Sequence, residues 1–241
     1  MKKVNDFSPF HWITNETEPI DFDNWTGSRV ENFIPKRFTH FAKLMHPLYP
    51  DINIKNEALL WSDCDPAEEV TFNFGKRILL KDLAEKYGLP FNKEFSFHSF
   101  VNAVGGYPRY LPGPVEDSMD AEMVPEVIKV LNPFTKGMCF FHYDLLKVNE
   151  YEEEHGYGHL YYGNLIDVEQ LAAKEEIRDY PTYWWPEDKS WCLFTGIDFD
   201  FTLFGGTKKM VEAFQANAEI ECIKVDMRTR VDDHADRKNF S

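Results

Sequence analysis

Asp198 and Asp200 stand two residues apart in "GIDFDFTLF", with Thr202 and Leu203 close behind. The spacing D-x-D-x-T-L after an apolar run suits phosphoryl transfer through an aspartyl intermediate. That chemistry needs one carboxylate as nucleophile and a second, two residues on, as acid and base. It also needs Mg²⁺, a downstream lysine, and paired acids to hold phosphate and metal. Read as a plain strand, the same residues alternate. Ile197, Phe199, Phe201 and Leu203 fall on one side, Asp198, Asp200 and Thr202 on the other. A polar strand face can still line a cleft, so Asp198 and Asp200 are candidate binding residues on either reading.

The string resembles the opening motif of haloacid-dehalogenase-type phosphatases at Asp198, Asp200, Thr202 and Leu203. In that family the motif begins the domain, whereas here 38 residues follow Leu203. The βα units that separate the family's later motifs do not fit in that length, even with Asp232 and Asp233 imitating its acid pair. The expectation is therefore a strand with a polar side, with no catalytic residue, metal ligand or cofactor assigned.

Other chemistry-bearing residues resolve into structural roles. Gly205-Gly206-Thr207 ahead of Lys208 and Lys209 has the ingredients of an anion site at a helix N-terminus. It lacks P-loop spacing and reads as a turn before a capped helix. His155 and His159 are four apart, but Gly156 and Gly158 deny them the helix that gives such spacing meaning. Asp232–Asp236 reads as a mixed-charge tail. Tyr183, Trp184, Trp185 and Trp191 flank a turn at Pro186–Asp188. Core packing around a hairpin is one reading of these rings; on the other, some lie near the surface, with Trp184 and Trp185 as binding candidates. Arg109, in "YPRYLPGP", joins the same candidate site if its loop folds over the aspartates.

These residues need elements to hold them. Residues 1–30 are polar and without periodicity, and are expected as an extended arm pinned by Phe7, Phe10, Trp12, Phe22 and Trp25. Residues 31–241 are expected as one domain. Phe38, Phe41, Ala42 and Met45 follow helical spacing between Pro35 and Pro47, which predicts a first helix. "KDLAEKYGLP" predicts a short helix with a capping box at Asp82 and Glu85 and a stop at Gly88. A helix is expected after Asp120, another from Asp167, and a last one capped by Thr207. Strands are expected at "ALLW", "GMCFFHYDLL", "LYYGNLI", "SWCLFTGI", "DFDFTLF" and "EIECIKVD". The order of these elements predicts a single α+β domain, with a mixed or mainly antiparallel sheet and helices packed on one side.

Composition narrows the partners. The chain has 241 residues, 41 acids against 26 bases, and a formal charge of −15. That argues against nucleic acid and anionic membranes, which need clustered lysine and arginine. It fits solubility or a basic protein partner. No apolar run follows Lys2 and Lys3 as a signal peptide would require, and none has the length of a membrane span. The sequons at Asn15 and Asn24 then carry no meaning. Cys64, Cys139, Cys192 and Cys222 form no C-x-x-C pair, which is consistent with reduced thiols in the cytoplasm.

The segment "WWPEDKSWCLFTGIDFDFTLFGGTKKMVEAF" resembles a family of uncharacterised bacterial proteins, actinobacterial and firmicute, with a W-W-P-x-D-x-[SA]-W stretch, an I-D-F-D strand and then G-G. "IPKRFTHFAKLMHPLYP" is similar to that family's early P-x-x-F…H-P segment. The helix expected near Pro35 also resembles the opening of Smi1/Knr4-like (SUKH) modules, which implies an immunity-type role against a toxin. The reading carried forward is a non-catalytic cytoplasmic binding protein for a basic partner. The alternatives are a small-ligand binder or hydrolase with a cleft on the Asp198/Asp200 face, and a homo-oligomer subunit with an apolar patch near Trp184 and Trp185.

Overall fold

In the computed structural model, residues 1–67, 69–144, 158–174, 177, 179–232 and 234–236 are described. Strand β2 (His40–Met45) lies between β7 (Phe201–Gly206) and β8 (Glu221–Val225), antiparallel to both. The other strands are β1 (Lys2–Val4), β3 (Cys139–Tyr143), β4 (His159–Gly163), β5 (Tyr183–Pro186) and β6 (Cys192–Phe194). Together they form one eight-stranded sheet in the order β1-β4-β3-β5-β6-β7-β2-β8. Every neighbouring pair is antiparallel.

The α+β expectation with an antiparallel sheet holds, but helices cover both faces. One face packs α1 (His11–Glu16), α2 (Leu80–Tyr87) and α3 (Phe97–Val104) over Phe41, Met45, Trp185, Phe194 and Leu203. The other packs α4 (Val124–Leu131), α5 (Asp167–Ala172) and α6 (Lys208–Ala216) over Ala42, Leu44, Phe141, Trp184 and Phe204. The sequence hid this because the central strands are buried on both sides, so alternation between apolar and polar residues is lost.

That same burial explains why the first helix expected from the sequence is a strand. Residues 40–45 form β2, not a helix. Apolar residues on both faces of a strand can match helical spacing by coincidence. Residues 1–30, expected as an extended arm pinned to the body, carry regular elements of their own. β1 adds to the sheet edge beside β4, and α1 buries Trp12 and Ile13. In "ALLW", Leu60 makes an isolated bridge to Pro108 and Trp61 begins a short 3-10 helix, so no strand forms there.

Helix α2 forms where its sequence predicts, but its cap comes from elsewhere. The Glu221 carboxylate on β8 accepts the Leu80 and Lys81 N–H groups at 2.9 and 2.7 Å. A carboxylate here satisfies otherwise orphaned donors at the positive end of the helix. Gly88, at φ 65°, closes the other end in the left-handed conformation that glycine tolerates. In α6, Thr207 caps through its hydroxyl, which accepts the Met210 N–H.

Candidate functional site

Lys43 lies on β2 between Ala42 and Leu44, opposite Leu203 of β7 and Ile223 of β8. Alternation along β2 therefore puts it on the same sheet face as Phe41 and Met45, under α3. It is 1 % exposed. Among the described residues its ammonium donates one hydrogen bond, to the Phe95 carbonyl at 2.5 Å, and lies 4.7 Å from the centre of the Phe201 ring. An ammonium has three donors, so this environment leaves capacity unused.

Two carboxylates close the same space. Asp200 lies just before β7 and Asp236 lies near the C-terminus, each 2 % exposed. Both meet the N-terminus of α3, the first through the backbone and the second through the capping serines. Asp200 Oδ2 accepts the Phe97 N–H at 3.0 Å. Its other oxygen has no hydrogen-bond donor among the described residues. Asp236 accepts the Ser96 hydroxyl at 2.9 and 3.0 Å, and accepts the Ser99 hydroxyl as well. Ser96 Oγ also accepts the His98 N–H at 3.1 Å, capping α3. The sequence folds this way because an eight-residue helix start presents bare N–H groups that favour nearby negative charge.

These groups line a cavity of about 290 Å³ together with Glu94, His98, Asp198, Phe199, Arg230 and Asp232. Much of the rim is already committed. Arg230 Nε donates to both oxygens of Asp232, and its backbone N–H is accepted by Glu94. His98 Nε2 hydrogen-bonds the Tyr107 hydroxyl at 3.0 Å. The Lys43 ammonium, the oxygen of Asp200 that meets no donor, and Asp198 at the mouth keep capacity for a ligand.

Burial shapes the proton affinities. It pushes the Lys43 ammonium down to a pKa of about 8, against the pull of the Asp200, Asp236 and Glu94 charges. Burial also raises the Asp200 carboxyl, and the charges of His98 and Lys43 and the Phe97 N–H oppose that rise. Asp236 is raised for the same reason, with the Ser99 and Ser96 hydrogen bonds opposing. Desolvation disfavours the charged form of every group here, and the opposite charges only partly offset it.

The two aspartates of the D-x-D string share this cavity but not one strand face. Ile197 and Asp198 form a turn, closed by the Phe199 N–H on the Gly196 carbonyl, and Asp198 adopts φ 63° with its N–H donated to Asp117 Oδ1 at 2.6 Å. Asp198 is exposed at the rim while Asp200 forms the floor. Its two aspartates precede the antiparallel strand β7, whereas an aspartyl nucleophile is set at a strand's end.

The remaining candidates lie elsewhere. Trp184 and Trp185 are fully buried on opposite sheet faces, so neither reaches a partner or forms the apolar patch expected there. The reason is that residues 183–186 form the central strand β5. Arg109 is buried too, 3.3 Å from Asp51 and stacked 4.3 Å from the Trp61 ring centre, and does not line the cavity. His155 lies outside the described residues. Among the described residues no group of three or more His, Cys, Asp or Glu is placed to hold a metal ion. No described helix is long and apolar enough to cross a membrane.

Lys43, Ser96 and Asp236 escaped sequence reading. The signal for Lys43 was available, since a lysine sharing a strand face with Phe41 and Met45 must be buried and answered by acids. Asp236 gave no signal, because nothing local ties it to α3. Comparison with protein-family models, with curated proteins and with solved structures finds no match for this chain.

Proposed function

We propose that this protein binds a small zwitterionic molecule in the Lys43/Asp200 cavity. The observation that carries this reading is a pair of nearly inaccessible, opposite charges, each with unused hydrogen-bonding capacity, lining one cavity. A buried charge without its full set of partners is costly unless something else meets it. A ligand carboxylate on Lys43 and a ligand ammonium on Asp200 and Asp198 meet both. The volume lies at the small end of ligand pockets, which run from about 300 to 1,000 Å³. It suits a molecule the size of an amino acid.

Thermal denaturation against a panel of free amino acids, simple amines and simple carboxylates tests this. Zwitterions are expected to raise Tm, since a ligand that binds only the folded state stabilises it. Amines and carboxylates alone are expected to do less, and Asp200→Asn to abolish the shift. A panel with no effect, or an unchanged response in Asp200→Asn, contradicts the reading.

Charge supports a second reading, an immunity-type or regulatory partner of a basic protein. A formal charge of −15 accelerates capture of such a partner by long-range steering. Pull-downs with the full chain at low and high salt test it, and a capture profile indifferent to salt counts against it. Cytoplasmic residence is part of both readings, supported by Cys139 and Cys192 as buried free thiols.

A further inference from the structure

We infer that Lys43 condenses with a small aldehyde or ketone held in the cavity, forming an imine on its side-chain nitrogen. This rests on the cavity being a ligand site and names a chemistry for it that non-covalent binding does not require.

A lysine becomes a carbonyl nucleophile when its amine is partly neutral at working pH, is reachable by a ligand, and has a proton donor nearby. Lys43 meets the first condition through its burial, which holds its pKa to about 8. On the order of one side chain in ten is then a free amine at pH 7, against fewer than one in a thousand for an ordinary exposed lysine. The second is met because its one protein hydrogen bond, to Phe95, leaves the nitrogen at the cavity among the described residues. The third is met by Asp200, which lines the same cavity with one carboxyl oxygen unengaged and a raised affinity for its proton. Asp236 is tied down by Ser96 and Ser99, whereas Asp200 keeps one carboxyl oxygen open beside the lysine.

The step balances within the site. The amine lone pair attacks the carbonyl carbon as Asp200 protonates the carbonyl oxygen, giving a carbinolamine. The proton released from nitrogen returns to Asp200 and passes to the hydroxyl, which departs as water. One C–N bond forms and the C–O bond breaks, with no oxidation or reduction. The reacting form of the site is an amine beside a carboxylic acid, the tautomer of the ammonium–carboxylate pair, and it ends as an iminium with a carboxylate. That product restores a cation where burial had disfavoured one, with a counter-charge created in the same step.

The test uses the full wild-type chain with glycolaldehyde and, separately, pyruvate, trapped by cyanoborohydride and mapped by peptide mass spectrometry. Lys208 and Lys209, exposed at the start of α6, are internal references. At pH 7 the Lys43 adduct is expected in at least ten-fold excess over either reference. That excess shrinks as pH rises to 10, where ordinary lysines also deprotonate. Asp200→Asn is expected to slow adduct formation at least ten-fold by removing the proton relay, although loss of the counter-charge alone would make the amine more reactive. Lys43 unmodified, or modified no faster than Lys208, overturns the inference, and a faster Asp200→Asn variant overturns the role given to Asp200. If zwitterions raise Tm while Lys43 stays inert, the ligand site stands and the imine falls. If Lys43 reacts while zwitterions have no effect, the imine stands and the zwitterion reading falls.

Discussion

Asp200 is the strongest counter-charge to the buried Lys43 ammonium, yet the hydrogen bond Lys43 makes goes to the Phe95 carbonyl. A direct ion pair would quench both groups. Here the lysine is held by a neutral carbonyl and the aspartate by a helix N-terminus, so each charge stays open to the cavity.

Lys43→Met should therefore destabilise the fold at pH 8. It strips the cation from Asp200 and Asp236, and leaving buried carboxylates without their partner costs about 3–5 kcal/mol, less what is regained by no longer burying the Lys43 ammonium. Both carboxyls already bind protons more tightly than when unfolded. Protonation at lower pH then neutralises them in the folded state first, so the deficit should shrink as pH falls. Urea titrations of both proteins from pH 8 to pH 5 check this.

Arg109→Ala should cost stability without touching ligand binding. The substitution leaves Asp51, itself 1 % exposed, buried without its guanidinium. A loss of about 3–5 kcal/mol is expected. The ligand-induced change in Tm should be preserved, because Arg109 lies outside the cavity.

His46 should make the protein acid-sensitive. Its Nδ1–H donates to the Val115 carbonyl at 2.6 Å, so Nε2 accepts the Thr202 hydroxyl at 3.0 Å. Thr195 and Thr202 continue the chain at 2.7 Å. This fixes a neutral ring, and burial lowers its pKa from 6.5 to about 4. Between those values the unfolded chain binds the extra proton, so stability is lost as pH falls from 6.5 towards 4. The loss amounts to about 3 kcal/mol. His46→Leu should flatten the stability curve over that range, whatever its effect at neutral pH.

Trp184→Phe should cost about 1 kcal/mol more than Trp185→Phe in chemical denaturation. Both rings are fully buried, so the volume lost is the same. Trp184 Nε1 donates to the Pro181 carbonyl at 2.8 Å, whereas Trp185 Nε1 has no acceptor among the described residues.

What could be read from sequence divides along physical lines. Helices α2 and α6 carry their own stop and start signals in Gly88 and Thr207, so they were legible. Strands β3, β4 and β8 were legible as short apolar runs between turns. Strand β2 was not, because burial on both faces left a pattern that also fits a helix. β5 was not either, because Pro186 and the residues after it make the stretch read as rings flanking a turn. Of the site, Asp198 and Asp200 were visible from their spacing. The rest depends on contacts spanning 140 residues, such as Ser96 with Asp236, which no local pattern encodes.

The most direct test is the titration of Lys43 itself, followed by its ¹³Cε resonance in protein labelled on lysine, with and without the zwitterion that raises Tm most. The account predicts one lysine titrating near pH 8, assigned to Lys43 by its loss in Lys43→Met, and displaced when the zwitterion is added. A Lys43 signal that titrates with the exposed lysines and ignores every small zwitterion would contradict it.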